Sequence, residues 1–238
     1  MCWKTSIIEV GVIPEVPLAR YLPGADPYVL LDLPCLVYVL DDGEHLVLVD
    51  SGPDAEAAAR HGYRVLGETT SALLEGLARH GASAADVDLI VHTHLHYDHC
   101  QNDALLPRAQ VVVQAEELRY ARGGTRYYEG IAARCDALDD RLVLLDGDTA
   151  LWPGLQTIKN GGHTPGHQSV LVETDDGPVC LCGDIVSLSV SASTAGAGDN
   201  CVDSEATQSF LRRCASETWE LIPSHEPALR EHRWFSRA

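Results

Sequence analysis

Apolar residues along this chain fall in short runs with two different periods. "TSIIEVGVI", "CLVYVL" and "HLVLVD" read as β-segments, the last two joined by the turn-like "DDGE". In "TTSALLEGLARHG" the spacing of Leu73, Leu74 and Leu77 predicts a helix, with Gly81 as its C-terminal cap. "VDLIVHT" and "AQVVVQ" are short strands, and "AEELRYA" is a short helix. "RLVLLDGDTALWPGLQTIKN" reads as β-segments parted by "DGD" and "PG", and "QSVLVET" with "PVCLCGD" as a hairpin across "DDGP". Ser204 to Glu217 is helical, and "WELIPSH" is a last strand that stops at a histidine. Strands dominate both halves and helices lie between them. That pattern predicts a mixed α/β (α+β) chain with a sheet-on-sheet core and outer helices, one domain over residues 1–238. Residues 121–140 and 187–203 are expected to be long loops that could wall a site.

The charge narrows the function classes. A net charge of −18 opposes nucleic-acid binding, which needs clustered Lys and Arg, and no basic stripe is present. The longest apolar runs are strand-sized, far short of a membrane span. No basic segment leads into a continuous apolar stretch at the N-terminus, so a cytoplasmic protein is expected. The eight cysteines are dispersed without a C-x-x-C pair, which predicts reduced thiols, mostly packed. Cys180 and Cys182 sit two apart in a strand and should pack on one face.

Four of the 11 histidines lie within "VHTHLHYDHC", Val91 to Cys100. His94 and His96 are two apart where a strand ends, so both imidazoles can reach one ion. Asp98 and His99 follow as the chain turns, and would point to a neighbouring position. One loop could thus serve two adjacent cations, zinc first, with iron, manganese or cobalt as alternatives. His163, Asp184 and His225 each follow an apolar run, so all three could converge on one edge of the core. His92 is expected to be packed or supporting, and Cys100 packed. His45, His61, His80 and His232 fit no motif.

"HLHYDH", a distant "GHTPGH", "GD" after a strand, a strand-terminal histidine and an early "VDSG" together resemble the metallo-β-lactamase superfamily from about residue 35 to 225. The resemblance implies a four-layer αββα sandwich with a dinuclear site. It implies one metal held by His94, His96 and His163, a second by Asp98, His99 and His225, and Asp184 bridging. Asp50 would support the ligand loop, and His167 would lie outside the ligand set. The implied chemistry is water-driven hydrolysis with Asp98 shuttling the proton. "HLHYDHCQND" and "HTPGHQS" look most like the N-acyl-homoserine lactonase group, the quorum-quenching enzymes. Those enzymes carry a tyrosine three residues after the bridging aspartate, where this chain has Ser187. Ser187 or Tyr97 is therefore the expected substrate contact, with Tyr127 and Tyr128 as alternatives. The expected partner is a small molecule, with a homodimer left open. The rival readings are hydrolysis of another small ester, thioester or amide, and an iron-dependent redox reaction.

Overall fold

The computed structural model describes residues 2–60, 62–124, 128, 130–193 and 201–231. Six strands form the first sheet: β1 (Lys4–Pro17), β2 (Leu30–Asp41), β3 (Leu46–Val49), β4 (Leu89–Val91), β5 (Gln110–Gln114) and β6 (Leu142–Leu145), paired in that order. β1 to β3 are antiparallel, and β3 to β6 run parallel. β1 keeps Pro14 and Pro17 because it is an edge strand, where a missing N–H breaks no ladder.

The chain changes sheets at "DGD", residues 146–148. β7 (Thr149–Trp152), β8 (Leu155–Lys159), β9 (Gln168–Thr174), β10 (Gly177–Leu181) and β11 (Glu220–Ile222) form the second sheet, in the order β11-β10-β9-β8-β7. Its pairs are antiparallel except β10 with β11. β8, β10 and β11 therefore all point the same way, and their carboxyl ends share one edge.

Alternation along β2 shows why the sheets stack. Leu36, Tyr38 and Leu40 meet Val170, Val172 and Leu181 of the second sheet in the central core. Val37 and Val39 face outward, against Leu73 and Leu77 of α2 (Thr69–Arg79). With both faces covered, the strand reads as a continuous apolar run. On the far side, Cys180, Cys182 and Leu171 pack under Phe210 and Cys214 of α6 (Ser204–Ser216). The two cysteines do share one face. Helix, sheet, sheet and helix make the αββα sandwich.

The two expected loops contain helices. α3 (Ala115–Arg122) runs into the first, and α4 (Ile131–Asp136) lies inside it, burying Ile131 and Cys135 one turn apart. Two apolar positions in six residues are too few to announce a helix. The second holds the short helix α5 (Ser189–Ser193). The remaining helix, α1 (Ala55–Arg60), precedes α2. Among the described residues no helix is long and apolar enough to cross a membrane.

Candidate metal centre

Every residue expected at the site follows the carboxyl end of a strand. β4 delivers His92 to His99, β8 delivers His163, β10 leads to Asp184 in a single 3-10 turn (Gly183–Val186), and β11 leads to His225. Parallel direction within each sheet gathers these ends on one edge of the sandwich.

Three groups of potential ligand atoms result. Nitrogens of His94, His96 and His163 converge, as do ligand atoms of Asp98, His99 and His225, and of His94, His99 and Asp184. His96 Nδ1 lies 2.9 Å from His94 Nε2 and 3.0 Å from His163 Nε2. Asp184 spans the groups. Its Oδ1 is 3.3 Å from His99 Nε2 and 3.1 Å from His225 Nε2, while its Oδ2 is 3.6 Å from His163 Nε2. Asp98 Oδ2 is 3.7 Å from His99 Nε2 and 3.6 Å from His225 Nε2.

The outer ring nitrogens are already engaged, which aims the inner ones. His99 Nδ1 donates to Asp50 Oδ2 at 2.7 Å, and His225 Nδ1 donates to the Pro34 carbonyl at 2.7 Å. Thr93 Oγ1 donates to Asp50 Oδ2 at 2.9 Å and lies 3.1 Å from His94 Nδ1, from which it can accept. Ser224 Oγ donates to Asp184 Oδ1 at 2.5 Å. Buried His99 Nε2 makes no well-formed hydrogen bond and faces the carboxylates of Asp184 and Asp98 at 3.3 and 3.7 Å. An imidazole nitrogen held at this position suits a cation, and the His and carboxylate donor set suits zinc.

The electrostatics separate the imidazoles. Burial, then repulsion from neighbouring imidazoles, pushes His94 and His96 well below the usual histidine range, so both are neutral and have a lone pair to offer. Burial acts the same way on His99 and His225, but Asp98, Asp184 and Asp50 outweigh it at His99, and Asp184 and Asp98 at His225. Both are raised. Asp184 is held well below the usual carboxylate range by His225 and His99, against the opposing effect of its burial.

Asp50 stands at the end of β3 with a left-handed backbone, φ 63°. Beyond it lies a buried chain of polar groups. His92 Nε2 donates to Asp103 Oδ2 at 3.0 Å, and Ser51 Oγ donates to Asp103 Oδ1 at 2.7 Å. Burial would lower His92, but Asp103 and Asp50 raise it to about 9. His167 lies behind the cluster, its Nδ1 2.7 Å from Asn160 Oδ1, and burial with the neighbouring His163 lowers it to about 3. His45 pairs with Asp42 and His80 contacts Ser6, both away from the site. His61, Tyr127 and His232 lie outside the described residues.

A cavity of about 420 Å³ opens over His96, Asp98, His163 and Asp184, and Tyr97 lines it. Ser187 does not. It is 1% exposed, and its hydroxyl donates to the Asp184 carbonyl oxygen at 3.3 Å. Tyr21, unnoticed in the sequence, lines the cavity from the end of the first 3-10 turn (Leu18–Arg20). Its phenol is raised by burial and then by the charges of Asp184 and Asp98.

Glu117 was equally invisible. This carboxylate of α3 is 0% exposed. It accepts from Leu95 N–H at 3.0 Å, Tyr128 O–H at 2.8 Å and Thr164 O–H at 2.7 Å. Leu95 lies between His94 and His96, and Thr164 follows His163, so Glu117 ties both histidine loops to one helix. Gly166 permits this: a Cβ there would strike the Glu117 backbone.

The sequence profile of the metallo-beta-lactamase superfamily matches residues 30–225. An N-acyl homoserine lactonase of a Bacillus species is 32% identical over 169 residues. That alignment covers 66% of this chain and 66% of the relative, just under two thirds of its length. A solved N-acyl homoserine lactone hydrolase, with N-hexanoyl-L-homoserine bound at its catalytic metal center, superposes with a TM-score of 0.80 at 25% identity. The match covers 96% of this chain and 95% of that one. AidC, a dizinc quorum-quenching lactonase, superposes at 0.77 with 16% identity, over 99% of this chain and 95% of its own, and shares the fold.

Proposed function

Because the chain belongs to the metallo-β-lactamase superfamily, we propose that it is a dinuclear metallohydrolase that opens lactones of the N-acyl-homoserine type. The observation that carries this reading is Asp184, whose two carboxylate oxygens face two separate sets of ligand atoms. The Bacillus lactonase relative supports the substrate class.

His94, His96 and His163 would hold one ion and Asp98, His99 and His225 the other, with Asp184 between them. Bound there, two divalent cations, zinc by donor chemistry, would lower the pKa of a water to about 7 and polarise the lactone carbonyl. The protein's own groups do the rest. The Asp98 carboxylate, on the cavity floor, accepts the proton of the attacking water and returns it to the ring oxygen as that bond breaks. Neutral His94 and His96 each have a ring lone pair to offer as a ligand. Asp50 holds His99, and Pro34 holds His225, so neither ring can swing away.

Tyr97 and Tyr21 line the cavity beside Asp98, and their hydroxyls take the role of contacting the substrate oxygen. Ser187 instead braces the turn that presents Asp184. Eight free thiols suit a reducing compartment, the cytoplasm. A homodimer would be compatible with this reading without being needed for it.

The test is proton release by the zinc-loaded protein on N-acyl-homoserine lactones, simple γ- and δ-lactones, a thioester and a β-lactam, with a chelated control. Chelator-sensitive acid release on the lactones is expected. Silence on them from protein carrying two zinc ions per chain would sink the lactonase reading.

A further inference from the structure

Among the described residues, five of seven tyrosines line this one cavity: Tyr21, Tyr63, Tyr97, Tyr120 and Tyr128. Aromatic residues are only 6% of the chain, so this is a strong local concentration. Of the others, Tyr38 is in the core between the sheets and Tyr28 is 90% exposed. The rings are arranged in two pairs drawn from separate parts of the chain. Tyr63 and Tyr97 stack face to face, with centroids 4.2 Å apart and planes 7° apart. Tyr120 and Tyr128 meet edge to face at 5.5 Å and 85°, and Tyr128 also lies 5.0 Å from the His96 ring.

The remaining wall is mixed: Ile13, Pro14, Val16, Leu33 and Val202 add aliphatic surface beside the rings. Two guanidinium groups, Arg20 and Arg64, line the cavity, Arg64 being steadied by Glu15 at 2.8 Å. Aside from Asp98 and Asp184 on the floor, no carboxylate lines it among the described residues. Guanidinium planes and phenol rings both favour flat, polarisable groups. The volume of about 420 Å³ is near the lower end of the range for ligand pockets, roughly 300–1,000 Å³. It suits a compact acyl group better than a long one.

Resting on the lactonase reading, we propose that the acyl part of the substrate is a planar aromatic group, of the benzoyl or cinnamoyl class, and not a long saturated chain. Water adds across the ring ester, the carbonyl carbon to ring oxygen bond breaks, and the products are a carboxylate, an alcohol and one released proton. The aromatic amide is untouched and serves only for recognition.

The experiment compares N-cinnamoyl- and N-nonanoyl-homoserine lactone, acyl groups of equal carbon number, on the zinc-loaded full chain. The expected result is a kcat/KM about tenfold or more higher for the cinnamoyl compound, expressed mainly in KM, from stacking on the half-buried rings Tyr63 and Tyr120. Tyr63→Leu should erase most of that preference and Tyr63→Phe should keep it, since the ring face and not the hydroxyl is responsible. Calorimetry with the two ring-opened products supplies a readout independent of turnover, with the cinnamoyl product binding more tightly. Equal or better hydrolysis of the nonanoyl compound overturns this proposal and leaves the lactonase reading standing. No hydrolysis of either, or of plain γ-lactones, by fully metallated protein overturns both.

Discussion

Removing the Glu117 carboxylate should loosen the metal centre from behind, without touching any of the candidate ligands. In Glu117→Ala three donors lose their acceptor. The hydroxyls of Tyr128 and Thr164 can turn elsewhere, at about 0.5–1.5 kcal/mol each. The Leu95 N–H cannot turn, and stranding it in a buried site costs about 1–3 kcal/mol. Lost side-chain volume adds roughly 1 kcal/mol, while relief from holding a buried charge offsets part of the total. The net is roughly 3–5 kcal/mol. Glu117→Gln should cost only about 1–2 kcal/mol, because its amide oxygen still accepts from Leu95 and its N–H can donate to the Thr164 hydroxyl. Urea unfolding of the metal-free proteins measures both. With a slope of about 2–3 kcal/mol per molar, the midpoint should fall by roughly 1–2 M for the alanine variant. The alanine variant should also bind zinc more weakly, since Leu95 and Thr164 adjoin three of the histidines. A midpoint within about 0.3 M of wild type, or equal losses in the two variants, would refute this account of Glu117.

Three further outcomes are expected. His99→Ala or Asp184→Asn should reduce bound metal to about one ion per chain and remove most hydrolysis, checked by metal analysis beside the lactone assay; full activity with one metal would refute the dinuclear reading. His92 is raised from 6.5 to about 9 in the folded chain, so its contribution is complete below pH 6.5 and is lost as pH rises through 9. Wild type should exceed His92→Asn in stability by about 3 kcal/mol at pH 6, with the gap closing by pH 10 in urea titrations. Ser187→Ala should retain activity within about threefold, whereas Tyr97→Phe and Tyr21→Phe should each lower kcat/KM by about tenfold or more; the reverse order in steady-state kinetics would return the substrate contact to Ser187.

The parts of this site that could be read from the sequence share one property: they break an apolar run. His94, His163, Asp184 and His225 each appear just after a strand, and the alternation of a strand says where its end must point. Glu117 has no such marker. It sits beside Glu116 in "AEELRYA", and only the fold sends Glu116 outward to Lys159 at 2.5 Å and Glu117 inward. Tyr21 follows a surface turn, and what makes it a cavity residue is packing on Val16, Leu33 and Leu188, the last far away in sequence. Ser187 shows the complementary case. Its spacing from Asp184 was legible, but the 3-10 turn that rolls its hydroxyl back onto the Asp184 carbonyl was not. The sheet change at residues 146–148 was likewise hidden, because a β-segment reads the same in either sheet.

The candidate ligands come from both sheets: His94, His96, Asp98 and His99 follow a strand of the first, and His163, Asp184 and His225 follow strands of the second. A pair of cations there would clasp the two halves of the sandwich together and close a loop running from residue 94 to residue 225. The unfolded chain cannot assemble that clasp, so metal affinity becomes folding free energy, about 2.7 kcal/mol when free metal stands a hundredfold above its dissociation constant. The same ions that arm the cavity would then set how long a molecule survives proteolysis. Chelation would then lower resistance to proteolysis along with activity.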